Sequence, residues 1–302
     1  MKNANSIADR YPSPLRYPGG KSVLAGFLSD ILKLNSITGA YCEGYAGGAG
    51  AALRLLMDGR VERIILNDAD IHIYSFWNSV LNNNDQFLDL VINCEITLSE
   101  WYKQKHIYEN PSRSSEIELG FATFFLNRTN RGGILPNAGP TGGFDQKSIY
   151  KIDARFNIKN LVPRIEKLGR LNDRIDFFNM DALEFVRKIV KEQDKNDTLI
   201  YLDPPYFGQG KKLYLNYYSN KDHSDLSTEV AGMTDSYWLV SYDNVDEIRN
   251  LYERYRNCSF DINYSVQVPK KGKEIIFFSE KLNLPSQLKI KNFLYEIPCP
   301  IK

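Results

Sequence analysis

Four consecutive residues, Asp203-Pro204-Pro205-Tyr206, carry the most distinctive chemistry of this 302-residue chain. They follow an apolar run, Thr198-Leu199-Ile200-Tyr201-Leu202, which reads as a buried strand closed by two prolines that cannot continue a ladder. Proline has no N–H, so the turn presents mainly acceptors: the Asp203 carboxylate and the Pro204 carbonyl. Pro205 keeps the turn rigid, and Tyr206 adds a flat π face. Two acceptors beside a ring suit a planar base whose exocyclic amino group brings two donors. A strand-ending turn without chemistry is the plain alternative, and the residues upstream argue against it.

Upstream, Tyr41-Cys42-Glu43-Gly44-Tyr45-Ala46-Gly47-Gly48-Ala49-Gly50 leads into Ala51-Ala52-Leu53-Arg54-Leu55-Leu56. This reads as a short strand, a glycine-rich turn and a helix start, where a ligand can approach the backbone closely. Arg63-Ile64-Ile65-Leu66 reads as the next strand and ends in Asn67-Asp68, with Asp68 20 positions beyond Gly48. In a βαβ nucleotide fold an acid at that point accepts hydrogen bonds from ribose hydroxyls. The glycines do not follow GxGxxG, which points away from NAD and toward another adenosine-containing ligand.

Taken in this order, the motifs resemble those of the Dam-like adenine-N6 DNA methyltransferases. In that group a cofactor turn comes first, a DNA-recognition insert second and the catalytic tetrapeptide third. The resemblance opens with Leu15-Arg16-Tyr17-Pro18-Gly19-Gly20-Lys21, where the family often carries Trp at the position of Tyr17. It continues through residues 43–50, 66–68, Asn179-Met180-Asp181-Ala182 and the tetrapeptide. It reaches the late segment Gly272-Lys273-Glu274-Ile275-Ile276-Phe277-Phe278.

The resemblance implies an α/β fold: a Rossmann-like S-adenosyl-L-methionine-dependent methyltransferase sheet with a mostly helical target-recognition insert. Residues 1–71 and 161–302 would form the catalytic domain and residues 72–160 the insert. Tyr17 and Lys21 would lie beside the cofactor, with Lys21 near its carboxylate. The turn of Gly44, Tyr45, Ala46, Gly47 and Gly48 would pass under the methionyl end. Asp68 would hold the ribose, Met180 and Asp181 would meet the adenine edge, and Asp203 would lie between cofactor and target. Asn127-Arg128 matches the family's Asn-Arg in the insert.

The implied chemistry follows from the amino group. The exocyclic nitrogen of adenine is a poor nucleophile because its lone pair is delocalised into the ring. Asp203 and Pro204, accepting its two N–H groups, favour a pyramidal nitrogen and stabilise the positive charge that grows as the methyl arrives. The donor is already activated as a sulfonium, so alignment is the remaining task and no metal is called for. A paired adenine must be flipped out of the duplex, which stacking on Tyr206 and contacts to double-stranded DNA offset.

Composition bounds the reading. A net charge of +1 is unlike that of a strongly basic nucleic-acid binder. A neutral enzyme can still gather cations on one face. Arg128 with Arg131, Lys211-Lys212, and Lys270-Lys271 with Lys273 are the candidate clusters. Four scattered cysteines, Cys42, Cys94, Cys258 and Cys299, show neither metal spacing nor a disulfide framework, which suits a reducing, cytoplasmic setting. His72, His106 and His223 are isolated and far from the motifs, and read as surface or structural residues rather than ligands or bases. No run is apolar enough to span a bilayer, and the polar start is no secretory signal.

Strand and helix patterns alternate, which predicts a mainly parallel sheet covered on both faces. Residues 21–34 read as an amphipathic helix, and residues 175–180 as a strand followed by a helix over 182–191 with Asp181 as its N-cap. Residues 236–242, 258–266 and 274–278 read as later strands, the last two joined by a basic, glycine-containing turn. Between residues 71 and 160 the rhythm breaks. An apolar helix over 119–126 mounts a glycine- and proline-rich loop over 126–144.

Other classes remain in view. An RNA or free-nucleobase amino methyltransferase would share the tetrapeptide but not the motif order with its insert. A nucleotide hydrolase or kinase would need GxxxxGK[ST], and Gly19-Gly20-Lys21-Ser22 lacks the earlier glycine. A non-catalytic DNA-binding subunit would have no use for intact Asp203, Pro204, Tyr206 and Asp68. The resemblance leaves a restriction nuclease or a larger defence complex open as protein partner. The loop departs from that of the Dam enzymes that methylate GATC, so no target sequence follows.

Overall fold

The computed structural model describes residues 12–16, 21–207, 218–264, 270–290 and 293–297. Tyr17, Pro18, Gly19, Gly20, Lys211, Lys212 and Cys299, named above, and the last two positions of the expected strand 258–266 lie outside these residues, as do the side chains of Lys270 and Lys271. The chain divides into two compact units, Gly20–Ala69 with Phe178–Lys302, and Met1–Gly19 with Asp70–Phe177.

Nine strands occur among the described residues: β1 Ala40–Glu43, β2 Arg63–Asn67, β3 Ile175–Phe178, β4 Thr198–Leu202, β5 Tyr237–Asp243, β6 Arg256–Tyr264, β7 Lys270–Phe278, β8 Gln287–Ile290 and β9 Phe293–Glu296. The first seven form one sheet in the order β3-β2-β1-β4-β5-β7-β6. Strands β2, β1, β4 and β5 run parallel, and β7 and β6 close the edge antiparallel. Strands β1 and β4 are buried at every position. That matches their continuous apolar character, since parallel strands are covered on both faces.

From β1 the chain winds outward to β2 and β3, and from β4 it winds the other way to β5. The topological switch therefore lies between β1 and β4, where a crevice opens at the carboxyl ends of the strands. The register pairs Glu43 with Tyr201, so the residues that follow, Gly44 and Asp203, come to the same crevice. Gly44 packs closely on β4: a Cβ there would lie 2.7 Å from Leu202 Cδ2, and that side chain would have to shift.

The late strands form the expected antiparallel hairpin at the end of the sheet, but they are longer than expected. Lys270, Lys271, Gly272 and Lys273 belong to β7, paired with Tyr264, Asn263, Ile262 and Asp261, rather than to its turn. The long β ladder extends through the glycine because the cross-strand partners continue beyond it.

The other unit is built on helix Glu116–Thr129, buried over nearly its whole length. It starts at a capping box: Ser115 Oγ accepts from Glu118 N–H, and Glu118 accepts from Ser115 N–H at 2.8 Å. The box satisfies two orphan donors, so the helix begins ahead of residue 119. It also runs past residue 126, and Asn127 and Arg128 occupy its last turn rather than the loop. Phe121 and Phe124 pack with Phe76 and Phe87 of neighbouring helices. This unit continues to Phe177. Helix Ile158–Gly169 is held to it by Asn84, whose Nδ2 donates to Ile165 O at 3.0 Å.

Candidate active site

Asp203 sits one residue beyond β4, and both its oxygens accept hydrogen bonds. Ser241 of β5 donates to Oδ1 at 2.5 Å, and Lys21 Nζ lies 3.0 Å from Oδ2. Tyr201 and Ser241 share a buried hydrogen bond of 2.7 Å. Because the Ser241 proton faces Asp203, Tyr201 is the donor in that bond. Lys21 opens a short 3-10 helix, Lys21–Leu24, and only 6% of it is exposed. Its ammonium also donates to Glu274 Oε1 at 3.2 Å and to Tyr206 Oη at 3.3 Å. Three donors thus meet three acceptors. The Tyr206 hydroxyl in turn donates to Glu274, and the ring lies 5.5 Å from Lys21 Nζ.

Burial disfavours the Lys21 cation, but Asp203 and Glu274 overcome it and raise the pKa well above the ordinary value. Burial pushes the Asp203 carboxyl up and Glu274 adds to that, while Lys21 opposes both. Glu43, at the end of β1, is 4% exposed, and its Oε2 has no hydrogen-bond partner. Burial, with Asp203 and Asp68 adding, holds its carboxyl well above the carboxylate range against the pull of Lys21.

The glycine turn is closed by Asp68 and Asn67. Gly47 N–H donates to Asp68 Oδ2 at 2.8 Å, and Ala46 N–H donates to Asn67 O at 2.9 Å. Asn67 is fully buried. Its Nδ2 donates to Gly44 O at 3.1 Å and to Met180 O at 3.0 Å, and its Oδ1 accepts from Met180 N–H at 3.1 Å. One amide therefore ties the turn after β1 to the segment after β3. Asp181 caps helix Ala182–Lys188, accepting from Leu183 N–H at 2.9 Å, and the residue itself is exposed. Tyr45 leaves the turn to meet Tyr218, hydroxyl to hydroxyl at 2.6 Å.

His223 is not remote from these motifs. It is 1% exposed, faces Phe207 directly after the tetrapeptide, and lies 3.2 Å from the Tyr242 hydroxyl. Burial holds its pKa low, in keeping with a structural, neutral imidazole.

The sequence reading missed Asn67, Ser241 and the role of Glu274. Glu274 carried a signal, a lone carboxylate leading the apolar run Ile275-Ile276-Phe277-Phe278. Ser241 carried none, being a small polar residue within an apolar strand.

In the other unit Asn127 is 1% exposed. Its Oδ1 accepts from Arg16 N–H at 2.7 Å, and its Nδ2 donates to Arg16 O at 2.8 Å and Gly133 O at 2.9 Å. Gly133, at φ +75°, allows the chain to turn there. The loop beyond is ordered by its own backbone: Arg131 N–H donates to Gly139 O at 3.1 Å and Thr141 N–H to Thr129 O at 2.8 Å. Arg128 turns inward, with Nε on Arg155 O at 2.8 Å and Nη1 on Pro14 O at 3.4 Å. Burial, with Arg16, Arg164 and Arg155 nearby, lowers its pKa to about 9. Arg131 and Lys273 are exposed.

The family model of D12 class N6 adenine-specific DNA methyltransferases matches residues 17–266. The chain belongs to that family. It is a methyltransferase acting on adenine, with S-adenosylmethionine as cofactor. No curated protein sequence matches it. Among solved structures it is similar to a proposed RNA methyltransferase of Pyrococcus horikoshii, at 12% identity and TM-score 0.41, covering 88% of this chain and 85% of that one. It is also similar to the rRNA methyltransferase AviRa of Streptomyces viridochromogenes, at 10% identity and TM-score 0.39, covering 88% and 86%. A precorrin-6y C5,15-methyltransferase of Geobacter metallireducens gives 8% identity and TM-score 0.33, covering 83% and 86%. Likeness at this level says nothing of substrate.

The adenine methyltransferase's own residues fit the cofactor. Glu43 Oε2, buried at the end of β1 without a hydrogen-bond partner, is a polar atom that a bound group would satisfy. Among the described residues no helix is long and apolar enough to cross a membrane, and no group of three or more His, Cys, Asp or Glu could hold a metal ion.

Proposed function

We propose that this D12 class methyltransferase is a site-specific DNA methyltransferase. It moves the methyl group of S-adenosylmethionine to the N6 amino group of an adenine rotated out of double-stranded DNA. The observation that carries the reading is the acceptor pair after β4. The Asp203 carboxylate is fixed by Ser241 and Lys21, and the Pro204 carbonyl follows it on a backbone held by two prolines.

Asp203 and Pro204 accept the two amino protons, which localises the nitrogen lone pair and favours the positive charge that develops there. Tyr206, its hydroxyl anchored by Lys21 and Glu274, presents its ring to the base. Pro205 separates ring from acceptors by a fixed turn. The cofactor supplies the methyl as a sulfonium. Gly44, Tyr45, Ala46, Gly47 and Gly48 pass its methionyl end, Asp68 accepts from the ribose, and Met180 and Asp181 meet its adenine. Tyr17 and Lys21 complete the surround. Exclusion of water by the buried cluster strengthens each of these interactions.

For the DNA, exposed Arg131 reaches base edges, while Lys270, Lys271 and Lys273 contact phosphates as point charges. Asn127 acts through the loop it holds at Gly133, and Arg128 through the segments at Arg155 and Pro14 that it bonds. A restriction nuclease or a defence complex is the partner class that site-specific methylation serves.

The test is sequencing, with a method sensitive to modified bases, of DNA from a host expressing the chain. A single motif bearing N6-methyladenine is the expected result, and Asp203→Ala should abolish it while the protein stays folded. Methylated RNA with unmodified DNA, or a folded Asp203→Ala variant with near-normal turnover, overturns the reading.

A further inference from the structure

Glu274 is buried in the centre of β7 with no exposed surface, an expensive place for a carboxylate unless it has work there. Its Oε1 accepts from Lys21 and from the Tyr206 hydroxyl. Lys21 also faces Asp203, and Asp203 accepts from Ser241. Each of these donors points at an oxygen of one of the two carboxyl groups, as it would at a carboxylate acceptor. One ammonium thus stands between two carboxyl groups, so the cluster holds one more acid than base.

The reaction needs that surplus. As the N6–C bond forms and the S–C bond breaks, the positive charge passes from sulfur to N6, and a proton then leaves N6 by way of Asp203 to water. A Lys21–Asp203 pair alone would face this charge with no net charge of its own. Glu274 adds a second acid beside the same ammonium. We infer that Glu274 is a positioning residue that divides the Lys21 cation between two carboxylates. It thereby leaves the crevice with a net negative charge matched to the sulfonium and to the developing cation on N6. The inference rests on the proposed reaction for its purpose, but the charge itself is measurable without any nucleic acid.

The probe is the pair S-adenosylmethionine and S-adenosylhomocysteine, which share every group except the methyl and the positive charge at sulfur. Affinities of both are measured by calorimetry for the wild type, Glu274→Gln and Glu274→Asp. Glu274→Gln should weaken the sulfonium form about tenfold and leave the neutral form within about twofold. Glu274→Asp, which keeps the charge, should restore the wild-type ratio. Turnover of Glu274→Gln should fall by about a hundredfold with little change in KM for DNA. Equal weakening of both ligands, or no change in either, overturns the inference. If Glu274→Gln does not fold, Lys21→Gln tests the same surplus with the opposite sign. The ratio of sulfonium to neutral affinity must then rise, and an unchanged ratio overturns the inference. A wild type that shows the charge preference but methylates no DNA sinks the proposed substrate and leaves the charge assignment standing.

Discussion

Asn67 and Asn127 sit in different units of the chain and do the same thing. Each is buried, each exchanges two hydrogen bonds with one backbone residue, and each gives a third to the carbonyl of a glycine. Asn67 grips Met180 and Gly44, and Asn127 grips Arg16 and Gly133. In each case a side-chain amide stands in for a strand neighbour and holds an irregular segment that has no ladder of its own. The surroundings differ. Asn67 lies in a crevice of charged groups, with Glu43, Asp68, Asp203, Lys21 and Glu274 near the strand ends, whereas Asn127 lies at the end of an apolar helix under a loop. The same joint serves chemistry in one unit and shape in the other.

The largest expected effect breaks the first joint. Asn67→Ala leaves Gly44 O and both polar groups of Met180 without their partner. At roughly 1–3 kcal/mol for each buried group left unmade, partly relieved by water, it should cost about 3–5 kcal/mol of stability. It should also loosen the turn and weaken S-adenosylmethionine binding by at least an order of magnitude. Urea unfolding and calorimetry check both, and a loss below about 1 kcal/mol would show that the clamp is decorative.

Asn127→Ala removes the same number of bonds and should destabilise to a similar degree, about 2–4 kcal/mol. Its effect on the cofactor should be slight, and on DNA binding marked, because Gly133 and the loop up to residue 144 lose their anchor. Were the cofactor affinity of Asn127→Ala to fall as far as that of Asn67→Ala, the contrast between the two joints would be wrong.

Much of this was legible beforehand. The strand segments along the chain, the tetrapeptide at the end of β4, Asp68 at the end of β2 and Asp181 as a cap all follow from local pattern, because apolar runs and turn residues act over a few positions. The joints were not legible. Asn67 looks like the residue before Asp68, and nothing nearby in sequence announces Met180, 113 residues on. Asn127 and Arg128 looked like loop because the glycines behind them mask a helix end set by the capping box at Ser115. His223 looked distant because ring contacts with Phe207 and Tyr242 are tertiary. The basic residues near 270 looked like a turn because a glycine sits among them, yet cross-strand pairing carries β7 through it.

A smaller effect concerns Glu43, which shares the crevice with Asn67. Its carboxyl is raised well above the model-peptide value of 4.5, first by burial and then by Asp203 and Asp68. The folded state therefore holds a proton that the unfolded state releases once pH exceeds the ordinary carboxylate range. The stability tied to that proton is complete below the unfolded value and is lost as pH rises through the folded one. Glu43→Gln keeps the shape without the titration. Its unfolding midpoint should fall less than that of the wild type between about pH 5 and pH 9. Parallel curves would mean that Glu43 does not titrate with folding. No counterpart exists at Asn127, whose hydrogen-bond partners are all backbone groups.

The smallest effect separates two arginines beside the second joint. Arg128 faces carbonyls of Arg155 and Pro14, while Arg131, three residues on, is exposed in the loop that Asn127 holds. If Arg131 reads a guanine edge, Arg131→Ala should cost roughly 1–3 kcal/mol of cognate binding and relax preference at one base position, with stability unchanged. Arg128→Ala should do the reverse. It loses hydrogen bonds to two carbonyls but also removes a cation crowded by Arg16, Arg155 and Arg164, so its net destabilisation should stay near 1 kcal/mol. Its salt dependence of binding should keep the wild-type slope, whereas replacing Lys270 and Lys271 together should flatten that slope for every sequence. Affinities for cognate and scrambled duplexes over a salt series, read beside urea midpoints, decide the matter. An Arg128→Ala variant of normal stability that loses base preference would place the reading head in the last turn of the helix and return Asn127 to the DNA surface.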